Sequence, residues 1–239
     1  MKLLAFDTST ERMAVAVLTP AGRFTTLQAG GAAASTGLLP AIHALLAEAG
    51  ITLGELDAIA FGRGPGAFTG LRTSCAVAQG LGFGLDRPLL ALDSLLVVAE
   101  DARRQAGHAD GDGPFEIAVA MDARIDEIYG GRYRHSPAGW ETLVAPGLYA
   151  LPDWLATCAD SGARWLAGSA IEAFGARLAL PGAVRRVPAE HDRAEALLTL
   201  AEAALRAGQG VVAADALPLY LRDKVALTTL EREQRAAAR

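Results

Sequence analysis

Two aspartates sit where chemistry could be done. Asp7 closes the apolar run Lys2–Phe6 and opens Asp7-Thr-Ser-Thr10, and Asp122 closes Phe115–Met121 and opens Asp122-Ala-Arg124. Carboxylates facing each other across a cleft could hold a hard cation and the phosphates bound to it. The same side chains could instead only satisfy backbone donors at strand ends. With Thr8 and Ser9 they form the candidate nucleotide-binding set. Between them lies Phe61-Gly-Arg-Gly-Pro-Gly-Ala-Phe-Thr-Gly-Leu-Arg72, in which Gly62, Gly64 and Gly66 permit close backbone approaches that side chains would forbid. A Walker loop would need two glycines five apart followed by Lys and Ser or Thr, and no register supplies it. The dinucleotide pattern fails too, because Thr69 stands where its third glycine belongs. A structural turn feeding a helix is the favoured reading, with phosphate binding as the alternative.

Other chemistry leaves little trace. His43, His108, His135 and His191 stand alone, without a second histidine at metal-ligand spacing. Cys75 and Cys158 sit in apolar contexts without metal or redox spacing and read as reduced core residues. No Gly-x-Ser-x-Gly elbow occurs. Asp122, Asp126 and Glu127 could do acid–base work, though a solvated hairpin explains them as well. Arg185, Arg186 and the tail residues Arg232, Arg235 and Arg239 could touch RNA phosphates, or the tail could simply fray. No catalytic residue and no metal ligand is assigned.

The elements that position these residues come next. The chain has 239 residues, 51% of them apolar, which is ample for one large domain or two small ones. A net charge of −5 argues against strong unaided binding to nucleic acid. No apolar run reaches the ~18 residues a membrane span needs. Only a few apolar residues precede Asp7, too few for a secretory leader, so a cytoplasmic protein without membrane contact is expected.

Periodicity predicts strands at Lys2–Asp7, Arg12–Thr19 and Gly22–Gln28, a helix at Thr36–Glu48, and a strand at Asp57–Phe61. The glycine helix follows from Thr69, then a strand at Leu89–Leu92 and a helix from Asp93 to Gly107. Ala106–Pro114 is the best linker. The pattern then restarts: strands at Phe115–Asp122, Glu127–Arg134 and Trp140–Val144, a helix at Pro152–Cys158, and a strand at Arg164–Ala167. A short helix after Gly168, a strand at Val184–Val187 and a helix at His191–Ala207 complete it. Three strands and then alternating helices and strands, twice over, suggest a duplication. That is the plan of the actin-like ATPases (the ASKHA group) and sugar kinases: α/β, with two ribonuclease-H-like lobes and a nucleotide between them. The expected division is 1–108 for the first lobe and 109–239 for a degenerate second, with Leu217–Val225 either staying there or returning to the first.

Two helices are short of charge. Thr36–Ala49 carries only Glu48, and the glycine helix only Arg72, against a quarter to a third on ordinary surfaces. Leu38, Leu39, Ile42, Leu45 and Leu46 can face the sheet, leaving Ala41, His43, Ala44 and Ala47 opposite. Ala76, Gly80 and Gly84 recur along one face of the glycine helix. The helices at Asp93 and His191, by contrast, are rich in charge. The first two should therefore be covered on both sides, the outer cover being the second lobe or another protein chain. The partner-binding assignment is Leu38, Ile42 and Leu45 with Arg72, Thr73, Ala76 and Gly80.

Four stretches in order, Leu4-Ala-Phe-Asp-Thr-Ser-Thr10, Gly62-Arg-Gly-Pro-Gly-Ala-Phe-Thr-Gly-Leu-Arg72, Asp122-Ala-Arg-x-x-Glu-x-Tyr129 and Pro218-Leu-Tyr-Leu-Arg222, resemble the TsaB (YeaZ) family. The resemblance covers residues 1–225 and implies an inactive paralogue of the transferase TsaD. TsaD makes N6-threonylcarbamoyladenosine beside the anticodon of tRNAs that read codons starting with A. It also implies a heterodimer with TsaD through the first two helices, a homodimer when alone, TsaE in the larger assembly, and tRNA only through the complex. TsaD-like relatives bind metal through His-x-x-x-His after the fifth strand, where this chain has Ser94 and Val98. A histidine that the family often carries before its first helix is absent from Ala33-Ala-Ser-Thr36. No cofactor is implied as required, although adenine nucleotides (ATP or ADP) at the lobe cleft or subunit boundary go with the family. The competing hypothesis is an actin-like ATP hydrolase or phosphotransferase using Asp7 and Asp122.

Overall fold

A computed structural model describes residues 1–159, 162–180 and 182–222. Its first sheet is built around β1 (Leu3–Asp7), in which every residue is buried. An uninterrupted apolar run is what a strand covered on both faces requires. Next come β2 (Arg12–Thr19) and β3 (Gly22–Ala29), antiparallel, then α1 (Ala34–Glu48), β4 (Ala58–Gly64), α2 (Phe68–Leu85) and β5 (Leu89–Asp93). The sheet order is β3-β2-β1-β4-β5, with β4 and β5 parallel to β1. α3 (Ser94–Gln105) follows, its first turn capped by Asp93, which accepts the Leu95 N–H.

The second half repeats this plan with β6 (Phe115–Asp122), β7 (Glu127–Ser136), β8 (Gly139–Ala150), α4 (Leu151–Cys158), β9 (Trp165–Ala167), α5 (Ala170–Phe174), β10 (Arg185–Val187) and α6 (Arg193–Arg206). Its order, β10-β9-β6-β7-β8, is the first sheet's order read from the other edge. The two lobes are ribonuclease-H-like and of the actin-like type. The expected elements are present within a few residues, except that β8 runs on to Ala150. Beyond two register shifts it continues to pair with β7, from Gly130↔Gly147 to Glu127↔Ala150.

The helices cross between the lobes. On one face of the first sheet, Leu4, Phe6, Val15, Ile59 and Phe61 pack against α1 and α2. On the other, Ala5, Ala14, Ala16, Ala58 and Ala60 leave room for Ala194, Leu197, Leu198 and Ala201 of α6. α3 lies instead on the second sheet, against Phe115, Ile117, Val119 and Tyr133, with α4 and α5 on that sheet's far side. A boundary at 108/109 thus separates the sheets but not the packed units, because each half lends one helix to the other.

This arrangement removes the second lobe as the outer cover expected for the charge-poor helices. The charge-rich α3 and α6 lie in the middle of the molecule, with Glu100, Asp101 and Arg193 buried. Their charges are satisfied internally. Asp101 accepts the His191 and Asp192 backbone N–H groups, and Glu100 accepts from the Arg103 guanidinium and from Trp140 Nε1. Charges can be buried when each is paired or hydrogen-bonded. The charge-poor α1 and α2 form the outer layer.

After α6 the chain returns to the first lobe. Val211 bridges to Leu89, Ala213–Asp215 forms a 3-10 turn against α2, and the Leu219 N–H donates to Arg63 O at 2.7 Å. Of the two courses left open for Leu217–Val225, the chain takes the return to the first lobe as far as Leu219 and Tyr220, while Arg222 reaches the second lobe. Residues 223–225 and the tail arginines lie outside the described residues.

Candidate functional site: an inter-lobe cleft and an outer helical face

A cleft of about 810 Å³ separates the lobes at the ends of β1 and β6. Ser9, Thr10, Gly66, Phe68 and Ser94 line one wall, and Asp122, Arg124, Tyr129 and Ser169 the other. Of the candidate nucleotide-binding set, only Ser9 and Asp122 reach it.

Asp7 lies behind this wall, fully buried. One carboxylate oxygen accepts the Ser9 N–H at 2.6 Å. The other accepts from Ser94 Oγ at 2.9 Å and Arg193 Nη2 at 2.7 Å. Burial opposes the ionisation of Asp7. The Arg193 charge and the Ser9 and Arg193 hydrogen bonds outweigh it and hold the carboxyl below its usual range. Thr8 is also inward, donating to Gly70 O and paired with Ser74. The glycine loop explains how β1 and α2 come so close. A Cβ on Gly70 would sit 1.9 Å from Thr8 O, and one on Gly62 would sit 2.0 Å from an Asp7 oxygen. The loop's glycines therefore seat the Asp7-Thr-Ser turn.

Asp122 is half-buried and also occupied. It accepts the Arg124 N–H at 2.8 Å, and the Arg124 side chain lies 3.3 Å away while reaching Glu11 across the cleft at 3.2 Å. Each strand-end aspartate thus faces an arginine. The residues present do not fit a metal–phosphate complex held between two bare carboxylates. Ser94 gives its hydroxyl to Asp7, and Val98 is in the core of the second lobe. Among the described residues no group of three or more His, Cys, Asp or Glu is placed to hold a metal ion.

Sequence reasoning missed Arg193, because nothing in the helix at His191 distinguishes an inward arginine from a solvated one. It also missed the part played by the Pro218-Leu-Tyr-Leu-Arg222 motif. Tyr220 packs on Phe68 with ring centroids 5.4 Å apart, and Arg72 lies 3.7 Å over the Phe68 ring while donating to the Tyr220 hydroxyl. Arg222 reaches the second lobe, donating to Ala123 O at 2.8 Å and pairing with Glu127 at 2.7 Å. The returning segment thus spans the mouth of the cleft.

The second region is the outer face of α1 and α2. Leu38, Ile42 and Leu45, assigned above to the partner, are buried in the chain's own core. That assignment is corrected. These three share the helix face with Leu46 that covers the first sheet, and burying them there satisfies their apolar surface. The outward face carries Leu39, His43, Ala44 and Ala47. On α2, Arg72, Ala76, Gly80 and Gly84 face outward and Thr73 is half-buried. Phe83 beside them is 66% exposed and Leu39 46%. The second lobe does not cover these residues.

The cysteines are inert by environment. Burial pushes the Cys158 thiol up to about 11 and the Cys75 thiol up as well. Neither thiol is expected to react with a maleimide at pH 7.5 in the folded protein, whereas both should react in denaturant. Mass spectrometry before and after unfolding checks this.

Comparison with known proteins agrees with this architecture. The family model for "TsaD: tRNA N6-adenosine threonylcarbamoyltransferase" matches residues 31–229. The tRNA threonylcarbamoyladenosine biosynthesis protein TsaB of Escherichia coli K12 is 29% identical over 238 residues, covering 95% of this chain and 96% of that protein. The TsaB of Haemophilus influenzae is 38% identical over 129 residues, and there the match spans about half (52%) of the relative's length. The solved structure of YeaZ from Pseudomonas aeruginosa superposes with a TM-score of 0.80 at 38% identity, covering 92% of this chain and 99% of that one. With motifs, topology and these matches in agreement, the chain belongs to the TsaB (YeaZ) family.

Proposed function

We propose that this chain is a non-catalytic subunit required for N6-threonylcarbamoyladenosine formation on the adenosine beside the anticodon of tRNAs reading A-starting codons. It binds and activates TsaD, which transfers the threonylcarbamoyl group. TsaE joins the assembly, tRNA is met only through the complex, and the chain pairs with itself when alone. The carrying observation is the outward face of α1 and α2, where Leu39, Ala76, Gly80, Phe83 and Gly84 are exposed. An apolar strip of small residues at a helix surface suits close contact with a second helix. The names of the relatives support the pathway, and the match to the TsaD model supports that partner.

The competing ATP hydrolase reading needs Asp7 and Asp122 free to hold a metal nucleotide, and both are engaged by arginines. Among the described residues no helix is long and apolar enough to cross a membrane, in keeping with a cytoplasmic place of action.

Mixing the purified chain with its host's TsaD and TsaE, with and without each component, tests the proposal. Complex mass by sedimentation and threonylcarbamoylation of tRNA are the readouts. Modification should require this chain, and the chain alone should not turn over ATP with magnesium. Full modification without it, or ATP turnover that disappears in Asp7→Ala, would overturn the reading.

A further inference from the structure

The returning segment follows α2 along its length. Ala213 lies where a Cβ on Gly82 would meet it at 3.1 Å. Ala216 O accepts from Gln79 Nε2 at 3.0 Å and from Cys75 Sγ at 3.2 Å, and Tyr220 meets Arg72 and Phe68 at the other end. As the segment runs forward from Ala213 to Tyr220, its contacts run backward along the helix from Gly82 to Phe68. At ~1.5 Å per residue that is a flank of about 21 Å. Ala213 and Ala216 are buried against the helix, while Val212 and Leu217 are each 64% exposed and Tyr220 is 44% exposed.

The residues that hold the segment, Phe68, Arg72, Cys75, Gln79 and Gly82, occupy one side of α2. The strip of Ala76, Gly80, Phe83 and Gly84 is the next side around the helix at its 3.6-residue period. The exposed apolar side chains of the segment therefore border the docking strip. Among the described residues, most of the large apolar side chains left exposed belong to α1, to α2 or to this segment.

We propose that Val212–Tyr220 forms a third rail of the docking face, beside α1 and α2, and that one partner covers all three. This rests on the reading of α1 and α2 given above. The occupant is the same transferase partner, because the rail continues the strip, with Arg72 on α2 and the exposed Asp215 on the segment itself as the charged side chains there. A partner that fits would present a helix lined with small residues to Gly80, together with an apolar side chain that settles between Leu217 and α2.

The test is a calorimetric titration of the full chain with its host's TsaD, comparing wild type, Leu217→Asp, Val212→Asp and Gly80→Leu. Both aspartate variants should unfold at the wild-type temperature, since their side chains already face water. Each should weaken the complex by about tenfold. If Gly80→Leu loses the partner while Leu217→Asp and Val212→Asp bind within about twofold of wild type, the third rail is wrong and the helical interface stands. If wild type forms no complex, both readings fall together.

Discussion

Replacing Arg193 by methionine is expected to destabilise the chain by about 3–5 kcal/mol, because it leaves the buried Asp7 carboxylate without its counter-charge. Methionine fills most of the arginine's volume, so little of the loss comes from a cavity. What remains is an ionised group at the centre of the molecule with only the Ser9 N–H and the Ser94 hydroxyl for partners. Arg193 also belongs to α6, the second-half helix that covers the first sheet. The Arg193–Asp7 pair therefore joins the two halves where their packing is most interdependent. Chemical denaturation followed by circular dichroism measures the loss.

Acid should shrink that loss. In the wild type the Asp7 pKa is depressed in the folded state. Its contribution is complete above the ordinary carboxyl pKa of ~4 and fades as pH falls through the lower folded value. In the variant the opposing Arg193 charge is gone, and burial, the largest influence on Asp7, is expected to outweigh the remaining Ser9 hydrogen bonds and raise the folded pKa above the unfolded one. The folded variant then takes up its proton first and gains stability as pH falls. The gap between the two proteins should narrow from pH 7 to pH 5. Adding Asp7→Asn to Arg193→Met should recover part of the loss, since it removes the stranded charge. A gap that stays constant with pH would show that Asp7 is not the cause.

The fold was largely legible in the sequence because its signals are local. Continuous apolar runs marked β1, β4 and β6, and Asp93 marked the start of α3. What stayed hidden depends on which surface each helix meets. Five alanines on one face of the first sheet are the recess that admits α6, yet in the sequence they are only small residues inside strands. The charges of α3 and α6 looked solvated because their partners lie far away along the chain, as Arg193 and Asp7 do at 186 residues apart. The site was half legible for the same reason. Ser9 and Asp122 line the cleft, and Arg124 stands in the same motif as the Asp122 it faces, but Arg193, which neutralises Asp7, carries no local signature. On α1, Leu38, Ile42, Leu45 and Leu46 of the stripe went to the core, and the docking face was left to Leu39, His43, Ala44 and Ala47. Where one helix has two apolar sides, the bulkier one fills the space against the sheet.

Gly80→Leu separates the requirements of the fold from those of the partner most sharply. A Cβ at Gly80 would meet nothing within 4 Å, so the isolated chain has room for a larger residue there. Gly70 and Gly62, by contrast, are pressed against backbone or carboxylate. In the middle of an exposed helix, leucine is favoured over glycine by about 0.8 kcal/mol. The variant alone should therefore melt at or slightly above the wild-type temperature. Against a partner the sign reverses. Helices that meet over small residues approach to about 8 Å, and a leucine at the contact holds them apart and displaces Ala76 and Phe83 from their own contacts. The complex with TsaD should weaken by at least about 100-fold, and tRNA modification should fall with it at fixed subunit concentrations. Gly80→Ala, adding a single methyl, should lie between wild type and leucine. Raised stability with lost binding is a combination that general damage to the fold cannot produce. Wild-type affinity in Gly80→Leu would mean that TsaD, if it binds, does so on some other surface.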